Sequence, residues 1–535
     1  MPSYSRRQLL KLAGACAVPL WLPRSAGGQP RWTETPFQLG VASGSPTHES
    51  VVLWTRLMGP ATRSVLESVG QPLTVSWELA HDEGFTRIAQ RGEAQAVPAL
   101  AHSVHVELRG LAPDRWYFYR FISGEAISPV GRTRTFPAPG VKAARLRLAY
   151  ASCQKWEDGY FSAYRHMLAE DLDVVMFLGD YIYEYPGLTS RIRVPNATSS
   201  NGWVLTLDDY RSRYANYKSE PELQAMHAAC PWLMTWDDHE VQNDYAGAAP
   251  GRSGRPVADF ARRRAAAYQA YYEHMPLRAA VLTRALAGLE WGAELRLYGQ
   301  LAFGDLARLY LLDNRQYRDL QVCTPDGKSG SGALDPESCE RWNEPERSLL
   351  GKAQEAWLEQ SFKQAGANSG GQAVWNVIGQ QSLFGQRDFR PGPDRFFWND
   401  GWDGYAPARS RLCKALGGNK VPNPVLLGGD VHENWVGHVK ADYANPASEN
   451  LGVEFCGTSV TSRSGNSAKT REWLAENPHF IFANTERKGY GVVDFTPGRL
   501  TTRLRVMDQV SDRDGRIETL ASFEVQAGRP VLEPV

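Results

Sequence analysis

The feature that most constrains this chain is a pattern that occurs four times: a short apolar run, sized for a buried strand, ends on carboxylate, thiol, phenol or imidazole side chains. The first run, Leu146-Arg147-Leu148-Ala149-Tyr150-Ala151, ends in Ser152-Cys153-Gln154. The second, Val174 to Leu178, is followed by Gly179-Asp180-Tyr181-Ile182-Tyr183-Glu184. The third, through Met234-Thr235-Trp236, leads into Asp237-Asp238-His239-Glu240-Val241-Gln242-Asn243-Asp244. The fourth, Val425-Leu426-Leu427, ends in Gly428-Gly429-Asp430-Val431-His432-Glu433-Asn434-Trp435. Taken singly, an Asp after a strand is a turn or helix cap, and a lone Cys is a small buried hydrophobe. Four such endings in one region point instead to a single crevice, because strand ends in α/β sheets open onto ligand sites.

Further short apolar runs, Leu309 to Leu312 and Val374 to Ile378, have the lengths of buried strands, and helical stretches between them predict a layered α/β domain over 145–530. Phe260 to Tyr272 carries Ala and Arg at helical spacing, which predicts a surface helix with Arg262-Arg263-Arg264 on its solvated face. Trp236 and Trp435 are expected to pack, and Gly457-Thr458-Ser459 to form a turn near the site. The alternation from Gly491 to Phe495 and from Thr501 to Val506 predicts a closing strand pair.

Residues 36–138 read differently. Val51-Val52-Leu53-Trp54, Leu73 to Trp77, Val104 to Leu108 and Trp116 to Phe121 are short β-branched or aromatic runs separated by turn signals, the mark of an all-β sandwich. The stretch from Leu108 to Tyr119 resembles the late-strand corner of fibronectin type III domains, and Phe136-Pro137-Ala138-Pro139-Gly140 marks a linker.

The first residues, Ser5-Arg6-Arg7-Gln8-Leu9-Leu10-Lys11, precede a moderately apolar stretch and the small residues Ser25-Ala26-Gly27, so 1–27 resembles a twin-arginine export signal. The expected partner of the precursor is the twin-arginine machinery and the expected location is periplasmic or extracellular. No apolar run is long enough for a membrane span. Without the signal the chain holds 55 basic against 59 acidic residues, a balance that argues against a nucleic-acid partner. An oxidising destination permits disulfides, and Cys323 and Cys339, which bracket a Gly/Ser/Asp-rich loop, are the expected pair. Oligomeric state is not legible.

Beyond the donor types, the blocks carry a specific resemblance. Gly179-Asp180-Tyr181-Ile182-Tyr183, Asp238-His239-Glu240 and Gly429-Asp430-Val431-His432 resemble motifs of calcineurin-like metallophosphoesterases. The Ser152-Cys153-Gln154 block, the run from Trp236 to Asp244, Asp313 to Arg318 and Trp402-Asp403-Gly404-Tyr405 are similar to the PhoD-like alkaline phosphatases and phosphodiesterases. The resemblance spans about residues 36 to 530. It implies an α/β metallophosphoesterase sandwich of two sheets flanked by helices, preceded by the β-sandwich. It further implies iron(III) held by Cys153, Asp180, Tyr183, Asp430 and His432, with Asp180 bridging to one or two calcium ions on Asp238 and Asn243. His239 would face the substrate phosphate. Arg315 would either reach substrate or sit in a structural ion pair, Asp237 would orient a ligand, and Glu240 and Glu433 receive no role. The implied activity is hydrolysis of small phosphate monoesters, and of diesters as well, by a metal-activated hydroxide. A phospholipase-D-like diesterase on the same site and a non-catalytic surface-binding protein remain as alternatives.

Overall fold

A computed structural model describes residues 32–59, 71–187, 191–195, 201–282, 294–324, 329–366 and 373–535. The expected export signal lies outside them. Two large sheets face one another. The first has ten strands, and its centre is the parallel trio Leu146–Ala151, Val174–Leu178 and Trp232–Thr235. The second has seven strands, among them Ala307–Leu311, Trp375–Gly379, Pro424–Gly428 and Asn450–Cys456, all mutually parallel.

The uninterrupted apolar runs follow from burial on both faces. In Val174–Leu178, Val174, Met176 and Leu178 point between the sheets, where they meet Leu309, Val377 and Leu427. Val175 and Phe177 point the other way, into a core with Tyr214, Met226 and Tyr271 from the covering helices. Ile378 and Leu426 do the same on the far side, against Phe362 and Leu412. The domain is therefore layered helix, sheet, sheet, helix, as expected, and the strand ends of both sheets converge at one edge.

The N-terminal unit is a β-sandwich whose core packs Val51, Leu53 and Val106 against Val75, Leu79 and Tyr119. The corner motif is present, with the Ala112 N–H donating to Tyr117 Oη at 3.1 Å. One layer, however, is not separate from the catalytic domain. Val41–Gly44 pairs in parallel with Trp232–Thr235 through Gly44 and Trp232, so that this strand, Val51–Arg56 and Ser103–Leu108 extend the ten-stranded sheet. At the other edge the closing pair is longer than expected, because Ile517–Gln526 and Arg499–Met507 are joined by Arg529–Pro534 beyond Gly489–Phe495.

The helix Phe260–His274 corrects the sequence reading. Arg262 is exposed, but Arg263 and Arg264 are buried. Arg263 donates to Tyr210 Oη, Gln242 Oε1 and the Val204 carbonyl, and Arg264 donates to the Gly247 carbonyl. Acceptors from distant segments make burial of these guanidiniums tolerable, and composition along one helix does not reveal them. Trp236 and Trp435 are fully buried; Trp236 stacks on Tyr268, and Trp435 meets Phe480 edge to face. Cys323 and Cys339 form a disulfide. Among the described residues, no helix is long and apolar enough to cross a membrane.

Candidate metal centre

Most of the site residues follow the parallel strands, and five of them sit on backbone that an ordinary residue seldom adopts. Cys153, Asp180, Asp244, Asp430 and His432 all have left-handed φ, between 57° and 66°. A non-glycine residue there costs about 1–3 kcal/mol and persists only when its surroundings impose it, a condition that concentrates at functional sites. Glu240 supplies part of that imposition. Its carboxylate accepts the N–H groups of Asp180 at 3.1 Å, Tyr181 at 2.6 Å and Asp237 at 2.9 Å, clamping two strand ends together. Gly179 is required there, since its φ is 108° and an added Cβ would lie 2.5 Å from Asp237 Cβ.

The donors collect in three overlapping groups. Cys153, Asp180 and His432 place one ligand atom each within 4.8 Å of one another, as do Asp180, Asp238 and His239, and Asp238, Asp244 and Asp400. Tyr183 joins the first group, its hydroxyl 2.8 Å from Asp180 Oδ2 and 3.1 Å from His432 Nε2. His432 is oriented by the Arg463 carbonyl, 2.6 Å from Nδ1, which leaves Nε2 toward the cluster. His239 Nδ1 lies 2.7 Å from Glu184 Oε2. A carboxylate only accepts, so Nδ1 carries a proton and Nε2 faces Asp238 Oδ1 at 3.9 Å.

Asn243 lies beside the site, its backbone N–H donating to Glu184 Oε1 at 2.8 Å and its amide Nδ2 to Ser253 Oγ at 2.8 Å. The third oxygen-rich group adds Asp244 and Asp400, the latter from the loop after Phe397–Trp398, to Asp238. Arg315 is fully buried and belongs to the ion-pair alternative. Its guanidinium binds Asp237 and, at 2.5 Å, Asp400, and lies 3.6 Å from both Asp238 and Asp430. Asp430 itself stays partly exposed. Asp237 thus orients Arg315, and Glu433, unassigned from sequence, anchors Trp435 Nε1 and Arg387.

Electrostatically the two ends differ. Burial, with further carboxylates nearby, pushes Asp180 and Asp430 well above the usual carboxylate range. Burial beside Asp180 likewise pushes the Cys153 thiol and the Tyr183 phenol up. Asp400 is held below its usual value, since Arg315 and Arg318 outweigh the burial that would raise it. His239 resists desolvation because Asp180, Asp238 and Glu184 hold its pKa well above the ordinary value. Asp180 Oδ1 is buried with no hydrogen-bond partner among the described residues. An unpaired carboxylate oxygen among thiol, imidazole and phenol donors fits a metal ion.

This architecture matches a known one. The family model of PhoD-like phosphatases matches residues 148–504, and that of the PhoD-like phosphatase N-terminal domain matches residues 23–137. The chain belongs to the PhoD-like phosphatase family. It is 42% identical over 553 residues to alkaline phosphatase D of Bacillus subtilis (strain 168), an alignment covering 100% of this chain and 89% of that protein. A solved structure of PhoD superposes with a TM-score of 0.85 at 42% identity, covering 95% of this chain and 93% of the other. The protein is thus a PhoD-like phosphatase, a hydrolase of phosphate esters with the two-sheet fold and all-β N-terminal unit of that family. Glu184, Asp244 and Asp400 are the site residues that sequence reasoning passed over. The first two lay inside blocks already singled out, and Asp400 lies two residues before Trp402 in another.

Proposed function

We propose that this PhoD-like phosphatase is an exported alkaline phosphatase that hydrolyses small phosphate monoesters, and diesters as well, at a mixed-metal centre. The observation that carries the reading is the continuous row of donors in which Asp180 and Asp238 join a thiol–imidazole–phenol end to an all-carboxylate end. Cys153, Asp180, Tyr183, Asp430 and His432 would hold iron(III). Asp180, Asp238, Asp244 and Asp400 would hold the harder calcium, which takes oxygen ligands. Bound there, the metals would offset charge on the phosphoryl oxygens and make hydroxide available near neutral pH.

The protein's own groups do the rest. Glu184 fixes the His239 tautomer and holds the ring toward Asp238. A protonated His239 presents Nε2–H to the phosphoryl oxygens or to the departing alcohol, a role that contributes about 10²- to 10⁴-fold when it is general acid catalysis. Arg315 binds Asp237 and Asp400 and lies beside Asp238, and its charge helps hold Asp238 and Asp400 below the usual carboxylate range. The nearby hydroxyls are committed elsewhere. Thr458 donates to the His432 and Arg487 carbonyls, Ser459 to the Ser462 carbonyl, and Ser462 to the Cys153 carbonyl and Tyr183 Oη. These commitments support water as the nucleophile, with no covalent phospho-enzyme.

Purified protein assayed on chromogenic phosphate mono- and diesters, with its metals measured, tests the reading. Hydrolysis of both esters by protein containing iron and calcium is expected, whereas hydrolysis by metal-free protein would end it. A P-chiral ester should be hydrolysed with inversion at phosphorus; retention would mean a covalent intermediate. Export by the twin-arginine route predicts that replacing Arg6 and Arg7 with Lys leaves precursor in the cytoplasm, and normal secretion of that variant would remove the claim.

A further inference from the structure

Beside the donor cluster lies a partly exposed aromatic side chain that the phosphatase chemistry does not use. Tyr185 follows Tyr183 and Glu184 on the segment that carries Asp180, but it is partly exposed where those residues are buried. Its ring lies 5.3 Å from the His239 ring, tilted by 55°, and 5.9 Å from the Tyr183 ring, nearly perpendicular. It is held from behind. Lys155, itself buried, donates to Tyr185 Oη at 3.0 Å, with Nζ 4.2 Å from the ring centroid. Arg213 reaches the backbone carbonyls of both Tyr183 and Tyr185.

A ring held at its hydroxyl end and along its backbone, partly exposed and next to His239, is a preformed wall beside the site. We infer that Tyr185, braced by Lys155, is a specificity-determining residue that receives the ester group of the substrate and favours flat aromatic groups over small aliphatic ones. This rests on the phosphatase reading, in which His239 faces the phosphoryl group. The group attached through the ester oxygen then leaves the cluster on the His239 side, where Tyr183 is buried and Tyr185 is the partly exposed neighbouring ring. Aromatic rings prefer offset or edge-to-face partners at centroid separations of about 4.5–7 Å, a geometry that a planar ester group can adopt against Tyr185 and a short alkyl group cannot.

Benzyl phosphate and ethyl phosphate test this, because their alcohols are alike in leaving ability and differ in shape. Wild-type enzyme is expected to prefer the benzyl ester. Tyr185→Ala should lower kcat/KM for benzyl phosphate by about fivefold, mostly through KM, while ethyl phosphate stays within about twofold and metal content is unchanged. Tyr185→Phe keeps the ring and should retain the preference, and Lys155→Met should weaken it by freeing the ring. Equal losses on both esters in Tyr185→Ala, or an unchanged preference, would overturn the assignment. Wild-type enzyme that hydrolyses neither ester would overturn the phosphatase reading first, and this inference with it.

Discussion

The two ends of the site solve the same problem in opposite ways. At one end Asp237, Asp238 and Asp400 crowd together, and the chain supplies its own cations, with Arg315 and Arg318 on Asp400 and Arg315 on Asp237. At the other, Asp180, Cys153, Tyr183 and His432 converge with no arginine or lysine paired to Asp180 among its described contacts, and Asp180 Oδ1 is left without a partner. Burying carboxylates is costly unless charge is met. The first cluster is therefore met in part by the chain's own cations, although burial beside Asp400 and Asp238 pushes the Asp244 pKa up to about 7. At the second, Asp180 has no such partner among the described residues, an arrangement that suits completion by an ion. The donors differ in the same sense, oxygen only at one end and mixed sulfur, nitrogen and oxygen at the other.

Substitutions at each end should separate these two roles. Asp180→Ala, at the shared ligand, is expected to abolish activity and metal content together; near-normal iron in that variant, measured by elemental analysis, would break the distinction. His239→Ala should lower kcat by about 10²- to 10⁴-fold while both metals stay bound if, as proposed, that residue acts on substrate; loss of a metal would instead make it a ligand of the Asp180–Asp238 group. Arg315→Met should act through stability, because it leaves several buried carboxylates unpaired. A loss of about 3–5 kcal/mol by denaturant unfolding is expected, and a variant as stable as wild type would show that the ions, not Arg315, hold that end.

Smaller effects sharpen the contrast. Tyr183→Phe removes the phenolate donor from the mixed end only, so a visible absorption band from iron–phenolate charge transfer should vanish while calcium content is unchanged. Replacing Cys323 and Cys339 with Ser opens a staple whose cysteines lie 16 residues apart, at a cost of about 3 kcal/mol in the simple chain-entropy account. Because Gln321, two residues from Cys323, donates to Asp400 Oδ1 at 2.6 Å and to the Asp244 carbonyl at 2.9 Å, the all-oxygen end should weaken first, seen as reduced calcium affinity with iron retained.

What was legible in the sequence follows from how burial writes itself. Val174–Leu178 and Pro424–Gly428 are buried on both faces, so they read as unbroken apolar runs, and the polar residue ending each run stood out as Asp180 and Asp430. Asp400 follows a two-residue strand, Phe397–Trp398, too short to announce a strand end, and it enters the site through a loop fixed by Arg315, Arg318 and Gln321. Asn243 and Asp244 are adjacent, and the sequence does not mark Asp244 as a residue whose left-handed turn brings its N–H to Asp238 Oδ2 and its carboxylate into the oxygen-rich group. The seam between the sandwich and the first sheet was equally illegible, because strand pairing between Gly44 and Trp232 depends on partners nearly two hundred residues apart and leaves no local mark.

The most direct test of the two-ended account is a crystal structure of the purified enzyme with anomalous data collected on both sides of the iron absorption edge. The account predicts a strong iron peak among Cys153, Asp180, Tyr183, Asp430 and His432, and density without an iron edge among Asp238, Asp244 and Asp400. The same transition metal at both ends, or no transition metal beside Cys153, would contradict it.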